Sequence, residues 1–162
     1  MSRDAVDRME ILLVEDNLED ANVTIQALKC GNLQCRVTLV CDGDEAISFL
    51  FRKGNFAQAP TPNLILLDMQ LPKKDGLHVL AEIRANEELK DIPIIVLTGS
   101  LIHRAILQGL SVDGFMPKPV ELDKFIGVVK SLRRSWLTTF AARPTEAIQG
   151  LLAVDRVGSA RR

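Results

Sequence analysis

The sequence predicts an α/β domain with a five-stranded parallel sheet and five helices. Three observations predict it. Short, continuous apolar runs recur along the chain, as in strands buried on both faces. Segments with apolar residues at helical spacing separate one run from the next. Gly, Pro, Asp and Asn gather at the junctions, where turns and helix caps need them. Strands alternating with helices make βαβ units, and right-handed crossovers then leave few topologies.

Residues 1–9 are polar and read as a loose N-terminus. Glu10 to Glu15 forms the first strand. Leu18, Ala21, Ile25 and Leu28 mark one face of the first helix, and Gly31 follows as its C-cap. Arg36 to Val40 is the second strand. Asp42-Gly43-Asp44 opens a second helix carrying Ala46, Ile47, Leu50 and Phe51. The Gly and Pro content of residues 54–63 makes them a loop. Leu64 to Leu67 is the third strand, Leu71 to Gly76 a turn, and the third helix runs through Leu77, Leu80 and Ile83. Pro93 to Leu97 is the fourth strand, residues 101–110 a short fourth helix, and Val112 to Met116 a weak fifth strand. A long fifth helix spans Glu121 to about Leu137, with Leu122, Phe125, Ile126, Val129, Leu132 and Trp136 on one face.

A chain of 162 residues can bury a real core without disulfides or a structural metal. Cys30, Cys35 and Cys41 have no C-x-x-C spacing, so they read as reduced thiols at element ends. His78 and His103 lie apart and read as surface residues. The net charge is −1, which gives no electrostatic footprint for nucleic acid or an anionic membrane. The longest apolar runs are about five residues, too short to span a bilayer. Met1-Ser2-Arg3-Asp4 shows no signal peptide, so the expected location is cytoplasmic.

In sheets of this kind, ligands sit beyond the carboxyl ends of the strands. Those ends are informative. The first strand leads into Glu15-Asp16, the third into Asp68, the fourth into Thr98-Gly99 and the fifth into Lys118-Pro119. Three carboxylates about 5 Å apart repel by roughly 3 kcal/mol per pair at an effective dielectric of about 20. A hard divalent cation relieves that repulsion, and Mg²⁺ suits a site with few protein ligands and several waters. Beside it a lysine can screen an incoming phosphoryl group while one carboxylate attacks.

Four segments carry these residues: Val14-Glu15-Asp16-Asn17, Leu67-Asp68-Met69-Gln70-Leu71-Pro72-Lys73-Lys74-Asp75-Gly76, Val96-Leu97-Thr98-Gly99 and Phe115-Met116-Pro117-Lys118-Pro119. In that order they resemble the receiver domain of two-component response regulators. The resemblance implies a doubly wound, flavodoxin-like sheet of strand order 2-1-3-4-5. It implies a receiver domain over 10–137, with 138–162 as a C-terminal tail. Asp68 matches the phospho-acceptor. Glu15 and Asp16 match the acid pair that helps hold Mg²⁺, with Asp16 the more direct ligand, and the backbone carbonyl of Gln70 matches the remaining protein ligand. Thr98 and Lys118 match the phosphate-binding hydroxyl and ammonium. Gly99 keeps the approach to the phosphate open. Phe115 sits where a rotating aromatic reports the switch, and the Lys118-Pro119 bond is cis in the family. The implied function is a phosphorylation switch or phosphorelay shuttle, and the implied partner is a sensor histidine kinase. The 54–62 insertion and the Ser135-Trp136-Leu137-Thr138 ending narrow the resemblance to single-domain regulators that accompany bacterial phytochrome kinases.

Some readings stay open on sequence alone. Asp16 could instead cap the first helix, and Phe115 could be a core aromatic without a switching role. A receiver could act as an unphosphorylated scaffold. An aspartate-based phosphatase is a further alternative, but such enzymes resemble D-x-D, and here the second acid is Gln70, which cannot donate a proton as an acid. The stretch from Thr98 to Lys118 is slightly shorter than usual, which bears on partner choice and leaves the phosphoryl chemistry untouched. Trp136, Leu137 and Phe140 crowd the end of the last helix, and exposed apolar clusters mark contact surfaces. A homodimer through this face is expected; the competing reading has residues 143–162 fold back over it.

Overall fold

The computed structural model describes residues 9–29, 35–69, 71, 75–99 and 112–132. Within them lie β1 (Met9–Val14), α1 (Leu18–Lys29), β2 (Cys35–Val40), α2 (Gly43–Leu50), a 3-10 turn (Gly54–Phe56), β3 (Leu64–Asp68), α3 (Gly76–Ala85), β4 (Ile94–Thr98), β5 (Gly114–Pro117) and α4 (Leu122–Ser131). All strand pairs are parallel and the order is β2-β1-β3-β4-β5, the expected flavodoxin-like order. The helix expected over 101–110 lies outside the described residues, as do Gln70, His103, Trp136, Leu137, Phe140 and the tail. No helix among the described residues is long and apolar enough to cross a membrane.

Side chains alternate across a strand, and here both faces are covered. Leu12, Val14, Ile65, Leu67, Ile94 and Val96 face one core with Ala46, Phe49, Leu50, Val79, Leu80 and Ile83 from α2 and α3. Ile11, Leu13, Leu64, Leu66, Ile95 and Leu97 face the other with Ala21, Leu28, Phe125 and Val129 from α1 and α4. That double burial is why these strands read as unbroken apolar runs.

Helix starts follow local hydrogen bonding. Asn17 Oδ1 accepts from the Asp20 N–H at 3.0 Å, Asp42 Oδ1 from Glu45 N–H at 2.7 Å, and Asp75 Oδ1 from His78 N–H at 3.0 Å. Gly76 is required by close approach: a Cβ there would stand 2.7 Å from Met69 Cα and 2.9 Å from the Asp68 carbonyl oxygen.

Several elements differ from expectation. Leu18 is 61% exposed and Leu77 is 45% exposed, although their spacing placed both on buried faces. Each lies in the first turn of its helix. The buried face of α1 begins one turn later with Ala21, Thr24 and Leu28, and that of α3 is Gly76, Val79, Leu80 and Ile83. The fifth strand starts at Gly114 rather than Val112, because Asp113 turns its carboxylate onto the Ile94 N–H at 2.8 Å and onto Arg84 at 2.9 Å. The last helix ends at Ser131, well short of Leu137. Leu132 is extended (φ −71°, ψ 168°) and buried in the α1–α4 core.

Candidate functional site

The carboxyl ends of β1, β3, β4 and β5 converge, and the ladder hydrogen bonds continue one step past the strands. Glu15 N–H donates to the Val40 carbonyl at 3.0 Å, which fixes Glu15 at the end of β1. Lys118 N–H donates to the Thr98 carbonyl at 3.0 Å, which sets Lys118 beside the end of β4. The Lys118-Pro119 peptide is cis, as the resemblance implied.

Glu15, Asp16 and Asp68 each bring a carboxylate oxygen within 4.8 Å of the others. Glu15 is fully buried and Asp68 is 5% exposed, whereas Asp16 is exposed. Asp16 does not cap α1, since Asn17 does so, and its carboxylate is left at the mouth of the site. Lys118 Nζ lies 2.7 Å from Glu15 Oε2 and donates to Asp68 Oδ2 at 2.9 Å. Thr98 is buried at the end of β4. Next to it, a Cβ on Gly99 would meet nothing within 4 Å, so the approach is open. Phe115 is half-buried against the α2–α3 core. It pairs with Val96 in register, two residues before the Thr98–Pro117 pair, so it shares a sheet face with Thr98.

Electrostatics set this cluster apart. Burial, reinforced by the neighbouring Asp68, pushes the Glu15 carboxyl from its ordinary 4.5 up to about 7, even though Lys118 acts to lower it. Burial acts to lower the Lys118 ammonium, but Glu15 and Asp68 outweigh it and raise its pKa. The ammonium therefore stays charged among carboxylates that exceed it in charge.

One member went unforeseen. Asp20, in the first turn of α1, accepts from Lys118 Nζ at 3.3 Å. Ninety-eight residues separate the pair, and only the fold brings them together. The available signal was an acid in the first turn of a helix that starts at a strand's carboxyl end.

Known proteins resemble this chain in sequence and fold. Response regulator Rcp1 of Synechocystis sp. is 39% identical over 131 residues, which is 80% of this chain and 89% of Rcp1. The Mn²⁺-bound form of Rcp1 matches with a TM-score of 0.65 at 40% identity, covering 74% of this chain and 88% of that one. The bacteriophytochrome response regulator AtBRR matches with a TM-score of 0.74 at 36% identity, covering 77% of this chain and 92% of that one. The phosphorylated cyanobacterial phytochrome response regulator RcpA matches with a TM-score of 0.67 at 40% identity, covering 82% and 96%. The family described as the response regulator receiver domain matches residues 11–130, and this chain belongs to that family.

Proposed function

We propose that this chain is a phosphorylation switch whose Asp68 is phosphorylated by a sensor histidine kinase of the phytochrome type in a Mg²⁺-dependent reaction. The observation that carries the reading is the setting of Asp68. It is a buried carboxylate at the end of β3, with an ammonium at 2.9 Å and two further carboxylates within 4.8 Å. The kinase class is supported by the relatives, whose names include bacteriophytochrome and phytochrome response regulators.

The donor set fits a hard divalent cation, because three clustered carboxylates outnumber one lysine and Glu15 is pushed up to about 7. Glu15, Asp16, Asp68 and the Gln70 backbone carbonyl would hold Mg²⁺, which would offset the charge of the entering phosphoryl group. An Asp68 carboxylate oxygen attacks phosphorus. The new P–O bond forms as the P–N bond of the phosphohistidine breaks, and the imidazole keeps the electron pair. Lys118 and the Thr98 hydroxyl take phosphoryl oxygens by charge-assisted and neutral hydrogen bonds. Gly99 leaves room for the donor, and Phe115, on the face it shares with Thr98, reports the change. As a switch the protein turns over no external substrate.

Residues 10–137 would form the receiver, and Trp136, Leu137 and Phe140 would seat a second copy in a homodimer. Phosphotransfer from a phosphorylated phytochrome-type kinase tests the assignment. Label should move to the wild type and not to Asp68→Asn; transfer to both would refute Asp68 as acceptor.

A further inference from the structure

Lys118 has three N–H donors and three carboxylates around it: Glu15 at 2.7 Å, Asp68 at 2.9 Å and Asp20 at 3.3 Å. The ammonium donates hydrogen bonds to Asp68 and Asp20, and Glu15 lies against it as a close ion pair, so it is ringed by carboxylates before any phosphoryl group arrives. If Lys118 is to bind a phosphoryl oxygen, one partner must yield. The three are unequal. The Glu15 side chain is fully buried and holds the shortest contact, so water cannot take the place of the ammonium there. The Asp68 side chain is 8% exposed and is itself the acceptor in the proposed reaction. The Asp20 side chain is 45% exposed and holds the longest contact, so water can replace the ammonium there at little cost.

We propose that Asp20 is a positioning residue that holds one N–H of Lys118 in the resting site and competes with the phosphoryl group for it. The inference rests on the phosphorylation reading above. On phosphorylation the ammonium keeps its three protons and one N–H moves from Asp20 Oδ2 to a phosphoryl oxygen. Asp20, released, faces water. The carboxylate thus sets how readily Lys118 commits to the phosphorylated state, without touching the phosphoryl group itself.

Removing the competitor should strengthen binding of a phosphoryl mimic. The probe is beryllofluoride titrated in the presence of saturating Mg²⁺, with wild type, Asp20→Asn and Glu19→Gln. Glu19 is exposed and adjacent on α1, and its change removes the same charge one residue away. Asp20→Asn should bind beryllofluoride about two- to fivefold more tightly, the scale of a half-exposed ion pair. Glu19→Gln should match wild type. The Lys118 side-chain nitrogen resonance of the unliganded protein should shift in Asp20→Asn and stay put in Glu19→Gln, and circular dichroism should show all three folded. Equal or weaker binding by Asp20→Asn overturns the role of Asp20, as does the same gain in Glu19→Gln. A wild type that takes up no beryllofluoride overturns the phosphorylation reading and this inference with it.

Discussion

Glu15 gives the site its pH dependence. Its folded pKa of about 7 lies above the ordinary 4.5, so the native state holds that proton more tightly than the unfolded chain. The contribution is fully present below pH 4.5 and is lost as pH rises through about 7. Lys118 is raised as well, and its stabilisation persists well above that window. Metal-free protein should therefore melt at a higher temperature at pH 5 than at pH 8 as far as Glu15 is concerned, and Glu15→Gln should flatten the difference. Scanning calorimetry across that range checks it; an equally steep slope in the variant would assign it elsewhere. Because Mg²⁺ needs the ionised carboxylate, its apparent affinity should fall as pH drops below about 7. Asp16→Asn should lose most Mg²⁺ binding by titration calorimetry, and an unchanged affinity would remove Asp16 from the ligand set. These residues were legible because strand ends in a parallel sheet point to one place. Asp20 was not, because its partner is ninety-eight residues away and helical spacing within α1 says nothing about β5.

At the scale of elements, the turn from β3 into α3 links stability to the site. A methyl group at Gly76 would collide with backbone, Met69 Cα at 2.7 Å and the Asp68 carbonyl at 2.9 Å, neither of which can rotate away. Gly76→Ala should cost about 1–3 kcal/mol in urea unfolding and should slow phosphorylation by displacing Asp68. Full stability with normal labelling would contradict this contact. Removing the Asp75 cap should cost about 1 kcal/mol and leave labelling intact. The sequence pattern located the central strands well, because burial on both faces leaves continuous apolar runs. It misplaced the margins. Leu18 and Leu77 fit a loose helical stripe yet stay exposed, because the buried faces are centred elsewhere around each helix, on Ala21, Thr24 and Leu28 in α1 and on Gly76, Val79, Leu80 and Ile83 in α3. Asp113 delayed β5 through contacts that no local pattern encodes, and α4 stops at Ser131 with Leu132 extended although the apolar spacing runs on.

At the scale of the molecule, the sheet order came from the resemblance, and the pairing of β1 between β2 and β3 agrees with it. The order places β1 and β3 side by side, so Glu15, Asp16 and Asp68 meet at one edge of the crevice, and β4 and β5 bring Thr98 and Lys118 from the other side. Self-association is a separate question with its own readout. Light scattering behind size exclusion should give a dimer mass for the wild type and a monomer mass for a Trp136→Ala, Leu137→Ala variant; a monomeric wild type at tens of micromolar would favour the tail covering that face. The central claim is the acceptor role of Asp68, and intact-mass measurement after incubation with acetyl phosphate tests it most directly. With Mg²⁺ the wild type should gain one phosphoryl mass, without Mg²⁺ it should gain little, and Asp68→Asn should gain none. Labelling of the Asn variant to the wild-type extent, or no labelling of the wild type, would contradict the account.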